Sequence, residues 1–342
     1  MWYAAVVRGP ATSTSLSPAG VIRQTTVVAG SGGRTVIGVV AGASVTVSIH
    51  GCTPRAYSES SYPRTAAGGQ AGGMILVTGA TGTIGSELVR QLEARGAPVR
   101  GMTRKPQGPL VQGDFDDPDS LRKAIDGVDT VFLLTAPGPW VPAHDRALIE
   151  AAVDGGVRKI VKLSAIGSTD EEMPGNWHAA GERALRESGL AWTILRPAGF
   201  ASNSLRWLPA IQAGQPIPNQ TGLGRHAFVD PRDVAAVAAE VLLSDHSDQT
   251  YTLTGPELLS VPDQVAVLSD VVGSPLSVVD VPLEVYAEQL RAAGLDEAVV
   301  TVALRGAELI RSGGEETVTD DVERVLGRPA RTFAEWARAH FA

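Results

Sequence analysis

The chain has 342 residues, with 29 basic and 37 acidic side chains and a formal net charge of −8. That length exceeds one typical domain, and the acidic balance argues against direct binding to a nucleic-acid backbone. A single cysteine, Cys52, excludes an internal disulfide and a thiolate-rich metal site. No apolar run is long and clean enough to cross a membrane, so we expect a cytoplasmic protein that works away from membranes.

The first 73 residues differ in composition from the rest. They carry five arginines against one glutamate and lack helical periodicity, whereas residues 74–342 alternate between strand and helix patterns. Three interpretations of residues 1–73 are open: an export signal, a small β-rich module, or upstream sequence that precedes a true start at Met74. The abrupt change favours the last, so we expect a disordered or non-native extension before a working domain of residues 74–342.

The most informative segment is Gly79-Ala80-Thr81-Gly82-Thr83-Ile84-Gly85. It follows the apolar run 74–78 and opens the amphipathic stretch 86–95, which is the order strand, turn, helix. In such a loop the first glycine permits a tight turn, the second lets backbone approach a pyrophosphate, and the third lets helix and strand pack closely. The helix start then directs unpaired N–H groups at the phosphates. These seven residues therefore predict a dinucleotide site.

The end of the second predicted strand, residues 97–103, indicates which nucleotide binds. An acidic residue at this position usually holds the ribose hydroxyls of NAD(H), but this chain has Thr103, Arg104 and Lys105 there. Cationic side chains suit a 2′-phosphate, so we expect NADP(H) to be preferred, with NAD(H) also possible. The alternative is that Arg104 and Lys105 are solvated surface cations.

Asp114 and Phe115 follow the third predicted strand, residues 110–112, and have two possible roles. Asp114 can accept a hydrogen bond from the adenine amino group while Phe115 lies beside the ring. Alternatively, Asp114 only turns the chain into the helix whose start is marked by Asp117 and Pro118. The sequence favours neither role.

The next three predicted strands, residues 128–135, 159–164 and 191–195, are mostly apolar, as central parallel strands are. Ligands bind at the carboxyl edge of such a sheet. The candidates there are Thr135, Ala136, Pro137, Ser164 and Pro197 for the cofactor, and Trp140, Phe200 and Asn203 for the substrate. Trp140 either stacks on a flat acceptor or packs its own loop.

The alternation of strands and helices predicts an α/β fold, a Rossmann-like doubly wound parallel sheet with a small C-terminal α/β cap. Helices are predicted at 142–155 and 177–188 and after a capping Asp230 and Pro231, then at 261–273, 283–293, 295–311 and 331–341, with strands at 251–256 and 277–281. The cofactor part spans about residues 74–200 and the substrate cap mainly residues 200–342.

From Met74 onward the chain resembles the NmrA-like branch of the atypical short-chain dehydrogenase/reductases, and looks closest to its NAD(P)H:quinone oxidoreductase and azoreductase members. The residues that carry the resemblance are Gly79–Gly85, Thr103-Arg104, Gly113-Asp114, Ser164, Ser188–Pro197, Asp230–Ala235, Tyr251–Gly255 and Gly327–Phe333. The resemblance implies an NADPH-dependent oxidoreductase that transfers hydride to a quinone, an azo compound or a similar conjugated small-molecule electron acceptor.

One departure from the wider superfamily concerns proton transfer. Ordinary members use a tyrosine with a lysine four residues later, but Tyr251 and Tyr286, the only tyrosines after residue 73, are not followed by lysine at that spacing. The corresponding helix carries His178 and Glu182, one turn apart. We interpret His178 as a proton donor and Glu182 as the residue that orients its ring, unless both are polar residues on a partly exposed helix face.

Two other functions remain open on the sequence. The missing tyrosine–lysine pair is compatible with an NADP(H)-binding redox sensor or regulator of the NmrA type, and the acceptor of a dedicated biosynthetic reductase cannot be told from a quinone. His144, His226, His246 and His340 are scattered without ligand spacing, so we expect no metal. We expect a monomer or homodimer.

Overall fold

The computed structural model describes residues 35–40, 43–48, 73–106, 108–168 and 176–342. Within the N-terminal segment, strands β1 (Thr35–Val40) and β2 (Ala43–Ser48) form an antiparallel hairpin. The other residues of segment 1–72, where we predict an extension, lie outside the described residues. Residues from Gly73 onward form a separate compact unit.

Seven parallel strands form the central sheet of this unit. They are β3 (Met74–Val77), β4 (Val99–Thr103), β5 (Val111–Gln112), β6 (Val128–Leu133), β7 (Lys159–Leu163), β8 (Ala191–Pro197) and β12 (Gln249–Leu253). Their spatial order is β12-β8-β7-β6-β3-β4-β5, so the winding direction reverses between β3 and β6. This is the doubly wound order, and its reversal point is where such sheets bind ligands. The predicted fold is confirmed.

Helices cover both faces of the sheet because each has one apolar side. On one face lie α1 (Thr83–Ala94) and α6 (Pro231–Leu243), and on the other lie α2 (Pro118–Ile125), α3 (Val141–Asp154) and α4 (Ala179–Glu187). Leu88 and Val234 belong to the first apolar cluster, whereas Leu121, Leu148 and Leu185 belong to the second. Burial of these side chains is the main force that holds the layers together.

The substrate-cap region contains short strands and helices. Strands β9 (Gly199–Phe200), β11 (His226–Val229) and β13 (Leu258–Leu259) form one small sheet, and β10 (Ile217–Asn219) pairs with β14 (Val278–Asp280). The helices are a 3₁₀ helix (Ala201–Trp207), α5 (Leu208–Gln212), α7 (Val261–Val272), α8 (Leu283–Ala292), α9 (Glu297–Arg311), α10 (Asp321–Leu326) and α11 (Phe333–Phe341). In the described part of the chain, no helix has the length and apolarity needed to span a bilayer.

The division between sheet and cap differs from the predicted one. The chain returns from the cap to the main sheet, because β12 pairs with β8 and places Tyr251 opposite Leu195. Helix α6 likewise packs beside α1 in the first apolar cluster. Helix α6 and strand β12 therefore belong to the main sheet and its covering layer, although they lie beyond the boundary expected near residue 200.

Candidate active site

The glycine loop has the geometry that a dinucleotide requires. Gly79 has a φ of +62°, a left-handed conformation that favours glycine, and an added Cβ there would lie 2.7 Å from the Leu134 Cδ2 atom. A Cβ at Gly85 would overlap the Gly79 carbonyl oxygen and approach the Ala80 Cα to 3.0 Å. The first glycine therefore makes the turn and the third lets α1 pack onto the loop.

The start of α1 offers donors for phosphate oxygens. Its N-cap is Gly82, which has no side chain to accept from the first-turn N–H groups, and Gly82 and Thr83 are exposed. The Ala80 N–H donates to the Met102 carbonyl at 3.4 Å, which ties the loop to β4. The loop thus leaves open the space that a Cβ would fill, and the first-turn N–H groups of α1 have no side-chain cap. Both features fit the pyrophosphate of NAD(P)H.

Arg104 and Lys105 lie directly after β4 and are exposed at the same edge as the glycine loop. Strand β4 approaches that loop closely, since a Cβ at Gly101 would lie 2.9 Å from the Ala80 Cβ. A ribose 2′-phosphate beside the end of β4 would therefore lie near two cationic side chains, and the residues that directly follow the strand include no carboxylate.

The adenine-side candidates make contacts within the protein. An Asp114 carboxylate oxygen accepts from the Asp116 N–H at 3.1 Å, which supports the turn role for Asp114. The Phe115 ring stacks on the His144 ring with centroids 5.1 Å apart, and His144 Nε2 lies 3.0 Å from an Asp116 carboxylate oxygen. Phe115 remains partly exposed, so its adenine role stays a prediction.

The loop after β6 is held from both sides. Thr78 Oγ1 donates to the Leu134 carbonyl at 2.8 Å, which joins the ends of β3 and β6. Thr135 is buried and its hydroxyl donates to Asp145 at 2.6 Å, whereas Ala136 and Pro137 are exposed. The Trp140 indole N–H donates to the Ala136 carbonyl at 2.8 Å, and 41% of Trp140 is exposed. Trp140 therefore packs its own loop and still presents a surface to solvent.

Glu182 anchors the ends of β7 and β8 to α4. Its buried carboxylate accepts from the Ser164 hydroxyl at 2.5 Å and from Arg196 at 2.6 Å, and Arg186 approaches to 2.9 Å. Burial opposes its ionisation, but the hydrogen bonds from Arg196 and Ser164 and the arginine charges hold the pKa of Glu182 below its usual value. Glu182 is thus held in its ionised form by Ser164 and by Arg196, the residue before Pro197.

The ring of His178 contacts Lys162, whereas the Glu182 carboxylate is bonded to Ser164 and Arg196. This arrangement does not match the sequence interpretation that Glu182 orients the ring. His178 is the N-cap residue of α4, and its Nδ1 lies 3.4 Å from Lys162 Nζ. His178 is only 7% exposed and Glu182 1%, so the alternative of a partly exposed polar face is also wrong. Burial, together with the Lys162 charge, lowers the pKa of His178 well below 6.5.

The NAD(P)H-binding family profile matches residues 79–245. A (4-alkanoyl-5-oxo-2,5-dihydrofuran-3-yl)methyl phosphate reductase from Streptomyces griseus subsp. griseus is 38% identical over 279 residues, which cover 78% of this chain and 98% of that protein. An NAD(P)H azoreductase from Xenophilus azovorans is 35% identical over 281 residues, which cover 79% and 98%.

The chain belongs to the NmrA-like, NAD(P)H-binding family of atypical short-chain dehydrogenase/reductases. In the solved structures, a NADPH-dependent quinone oxidoreductase from Escherichia coli complexed with NADPH superposes with a TM-score of 0.70 at 26% identity, covering 79% of this chain and all of that one. The expected resemblance is confirmed, and so is its general consequence: this NmrA-like protein is an NAD(P)H-dependent oxidoreductase.

In this NmrA-like reductase the three substrate candidates do not share one environment. Phe200 is half-buried and packs against the first apolar cluster. Asn203 is buried and lines a cavity of about 20 Å³, room for roughly one water molecule, together with Trp207, Thr221 and His226. That lining includes neither Trp140 nor Phe200.

Sequence reasoning missed three charged residues of the site: Asp145, Lys162 and Arg196. Lys162 lies in the central strand β7 and is fully buried, as is Asp145 on α3, and the two form an ion pair of 2.5 Å. A lysine between apolar residues of a central parallel strand indicates a buried ion pair, because a lysine is almost never fully buried unless it is paired. No sequence pattern indicated its partner Asp145, which lies on helix α3.

Proposed function

We propose that this protein is an NADPH-dependent reductase that transfers hydride to a conjugated, electrophilic small molecule. The observation that carries the proposal is the composition of the sheet edge: a cofactor cradle at Gly79–Gly85 and a buried, neutral His178, with no tyrosine–lysine pair in residues 74–342. Such an edge suits acceptors whose own π-system takes up the electron pair, since they need no strong base to remove a hydroxyl proton.

The preference for NADPH is supported by Arg104 and Lys105. Both are exposed beside the loop that fits the pyrophosphate, where NAD(H) enzymes usually carry an acidic residue. A guanidinium can hold a phosphate in a bidentate hydrogen bond, which also gives geometric specificity.

The acceptor class is supported by the names of the relatives. One relative is named for azo reduction, another for quinone reduction, and the Streptomyces griseus protein for a dihydrofuranone in which the ring double bond is conjugated to two carbonyl groups. These molecules share an electrophilic site joined to a heteroatom that can hold negative charge. The same chemistry fits the half-exposed Trp140, because an indole can stack on a flat ring.

The roles of the residues follow from this chemistry. When bound, NADPH supplies a hydride from C4 of its nicotinamide ring. The glycine loop and Arg104 bind and orient the cofactor, Trp140 positions the acceptor, and the Glu182–Ser164–Arg196 cluster fixes the ends of β7 and β8 against which both lie. We place the neutral ring of His178, at the start of α4, beside the acceptor.

A narrower second function is favoured by the Streptomyces griseus relative. Its identity of 38% extends over 98% of its length, and its name specifies one phosphorylated intermediate. On that basis the protein reduces a single biosynthetic acyl-furanone or a similar activated alkene, with quinones and azo dyes as surrogate acceptors.

The test is oxidation of NADPH by the purified full-length protein, followed at the nicotinamide absorbance. The acceptors are a naphthoquinone, an azo dye and a 2-acyl-butenolide, with enzyme-free and acceptor-free reactions as controls. We expect turnover with at least one acceptor, and a strong preference for the butenolide would support the narrower function. Calorimetric binding of NADPH with no turnover of any acceptor would overturn the proposal in favour of a redox sensor.

A further inference from the structure

A chain of buried polar side chains runs beneath the carboxyl edge of the sheet. The Thr135 hydroxyl donates to one carboxylate oxygen of Asp145 at 2.6 Å, and Lys162 Nζ donates to the other at 2.5 Å. Lys162 Nζ also lies 3.4 Å from His178 Nδ1. These contacts between side chains therefore link the loop after β6 with the N-terminus of α4. Asp145 and Lys162 are both fully buried.

The fold leaves space for these buried polar side chains, although burying their charges is unfavourable. A Cβ at Gly181 would overlap the Asp145 carboxylate, so α4 approaches the ion pair only because it carries glycine there. Burying two charges costs several kcal/mol of desolvation, which their attraction often only offsets, so a buried ion pair is weak evidence for a role in stability. A pair that lies beside the candidate site points instead to a role in positioning.

Hydrogen-bond chemistry fixes the form of His178. An ammonium group only donates, so Nδ1 must accept from Lys162 and the ring proton must be on Nε2. The carboxylate of Asp145 holds the ammonium in place from the other side. Glu182, one turn further along α4, is already bonded to Ser164 and Arg196.

We propose that Thr135, Asp145 and Lys162 are positioning residues that hold His178 as a neutral Nε2–H donor to the heteroatom of the acceptor on which negative charge develops. This role rests on the proposed reductase function. Hydride adds to the electrophilic atom of the acceptor, the π pair moves to the conjugated oxygen or nitrogen, and NADPH becomes NADP⁺. His178 stabilises that charge by a hydrogen bond and keeps its proton, and water supplies the proton that completes the product.

The first experiment reads the tautomer directly, without any acceptor. Nitrogen NMR of the full-length protein labelled with ¹⁵N-histidine distinguishes the two neutral tautomers and the imidazolium, and the His178→Gln variant assigns the signal. We expect the Nε2–H tautomer at neutral pH. An Nδ1–H tautomer or a charged ring would overturn the inference even if the protein reduces quinones.

The second experiment removes the positioning group. In Lys162→Met we expect Nδ1 to acquire a proton and kcat to fall about 10-fold or more, with an unchanged KM for NADPH. The matched control is Lys159→Met, because Lys159 is also buried on β7 but donates to the Val241 and Ser244 carbonyls. The control should leave the His178 signal and kcat unchanged. An unaltered His178 signal in Lys162→Met would contradict the inference.

Two further variants keep the inference testable. If Lys162→Met does not fold, the double variant Asp145→Leu/Lys162→Met removes both charges together, which buried pairs tolerate better. His178→Gln should retain more activity than His178→Asn, because only the glutamine amide reaches the Nε2 position. Equal activities would overturn the Nε2–H role. If NMR shows the Nε2–H tautomer but the protein reduces none of the acceptors, the proposed function is wrong and the positioning of His178 by Lys162 still holds.

Discussion

Arg104 follows the last residue of β4 and is exposed beside the nucleotide loop. In Arg104→Ala we expect the dissociation constant of NADPH to rise while that of NADH stays nearly unchanged, because only NADPH carries the 2′-phosphate. Loss of one charge-assisted hydrogen bond is worth about 1.5–3 kcal/mol, or roughly 10- to 100-fold in affinity. Isothermal calorimetry with both cofactors measures this effect.

The control for this measurement is Arg95→Ala. Arg95 is the C-cap residue of α1, at the opposite end of the helix from the glycine loop, where it pairs with Glu240 at 3.0 Å. Both affinities should match the wild type there. Equal weakening of NADPH and NADH in Arg104→Ala would show that Arg104 does not recognise the 2′-phosphate.

His178 also makes the stability of the protein depend on pH. Burial and the Lys162 charge lower its pKa in the folded state, whereas the unfolded chain titrates near 6.5. Below pH 6.5 the unfolded state therefore binds a proton that the folded state does not, and stability falls as the pH falls, by about 1.4 kcal/mol per unit. Above pH 6.5, His178 is neutral in both states, and its titration no longer lowers the free energy of unfolding.

In His178→Gln this contribution disappears. We expect the loss of unfolding free energy between about pH 7 and about pH 5 to be smaller in the variant than in the wild type. Urea unfolding at the two pH values gives the difference. If both proteins lose stability equally over that interval, His178 is not buried in its neutral form.

At this scale the sequence predicted the loop residues better than the charged residues. Gly79 and Gly85 could be assigned because Gly79 has a left-handed backbone and Gly85 has no space for a Cβ. The partner of His178 could not, because Lys162 is 16 positions away and is brought near only when β7 lies beside α4. The pairing of Glu182 with Ser164 is likewise a product of the fold.

At the scale of elements, the junction of β3 and α1 depends on Gly85. A Cβ there would overlap the Gly79 carbonyl oxygen, so Gly85→Ala forces α1 away from the loop. We expect a lower melting temperature and a loss of the thermal shift that NADPH gives to the wild type. The control is Ser86→Ala, an exposed change in the next position of the helix. A wild-type shift in Gly85→Ala would mean that the loop can relax without losing its ligand.

Long apolar strands and capped helices were predictable to within a residue or two. Strand β7 was expected at 159–164 and found at Lys159–Leu163, and the cap of α6 by Asp230 was expected from the Asp-Pro pair. The two-residue strands β9 and β13 were not predicted, because they have no periodicity of their own and form only through their pairing with β11.

At the scale of the whole molecule, α11 contributes to a third apolar cluster, which also includes residues of β11 and α7. Trp336 is 1% exposed and packs with Phe333, Phe228 and Val265. Trp336→Ala should lower the unfolding free energy by about 3–5 kcal/mol, the usual cost of removing a buried tryptophan. The comparison is Leu223→Ala, whose side chain is 83% exposed and whose loss should cost less than about 0.5 kcal/mol. Similar values in urea unfolding would show that α11 is not part of the core.

The C-terminal segment is also tied to the cofactor half by charge. Asp233, in the first turn of α6, is fully buried and accepts from Arg328 at 2.6 Å and from both the side chain and the backbone N–H of Arg331. The sequence showed both motifs, Asp230–Ala235 and Gly327–Phe333, but not that they meet, because they are nearly a hundred residues apart. The parallel sheet was predictable because strand–helix alternation with right-handed crossovers produces it.

The parallel pairing of β9 with β11 has a consequence for protein engineering. Gly199 lies opposite Phe228 and Phe200 opposite Val229, so the segment 199–229 leaves the sheet and returns to it at adjacent points. That segment carries Phe200 and Asn203, while the glycine loop and Arg104 lie outside it. A loop exchanged between relatives at these two anchors would keep its entry and exit geometry. On the proposed assignment, such an exchange would replace the acceptor candidates Phe200 and Asn203 and leave Trp140, His178 and the glycine loop in place.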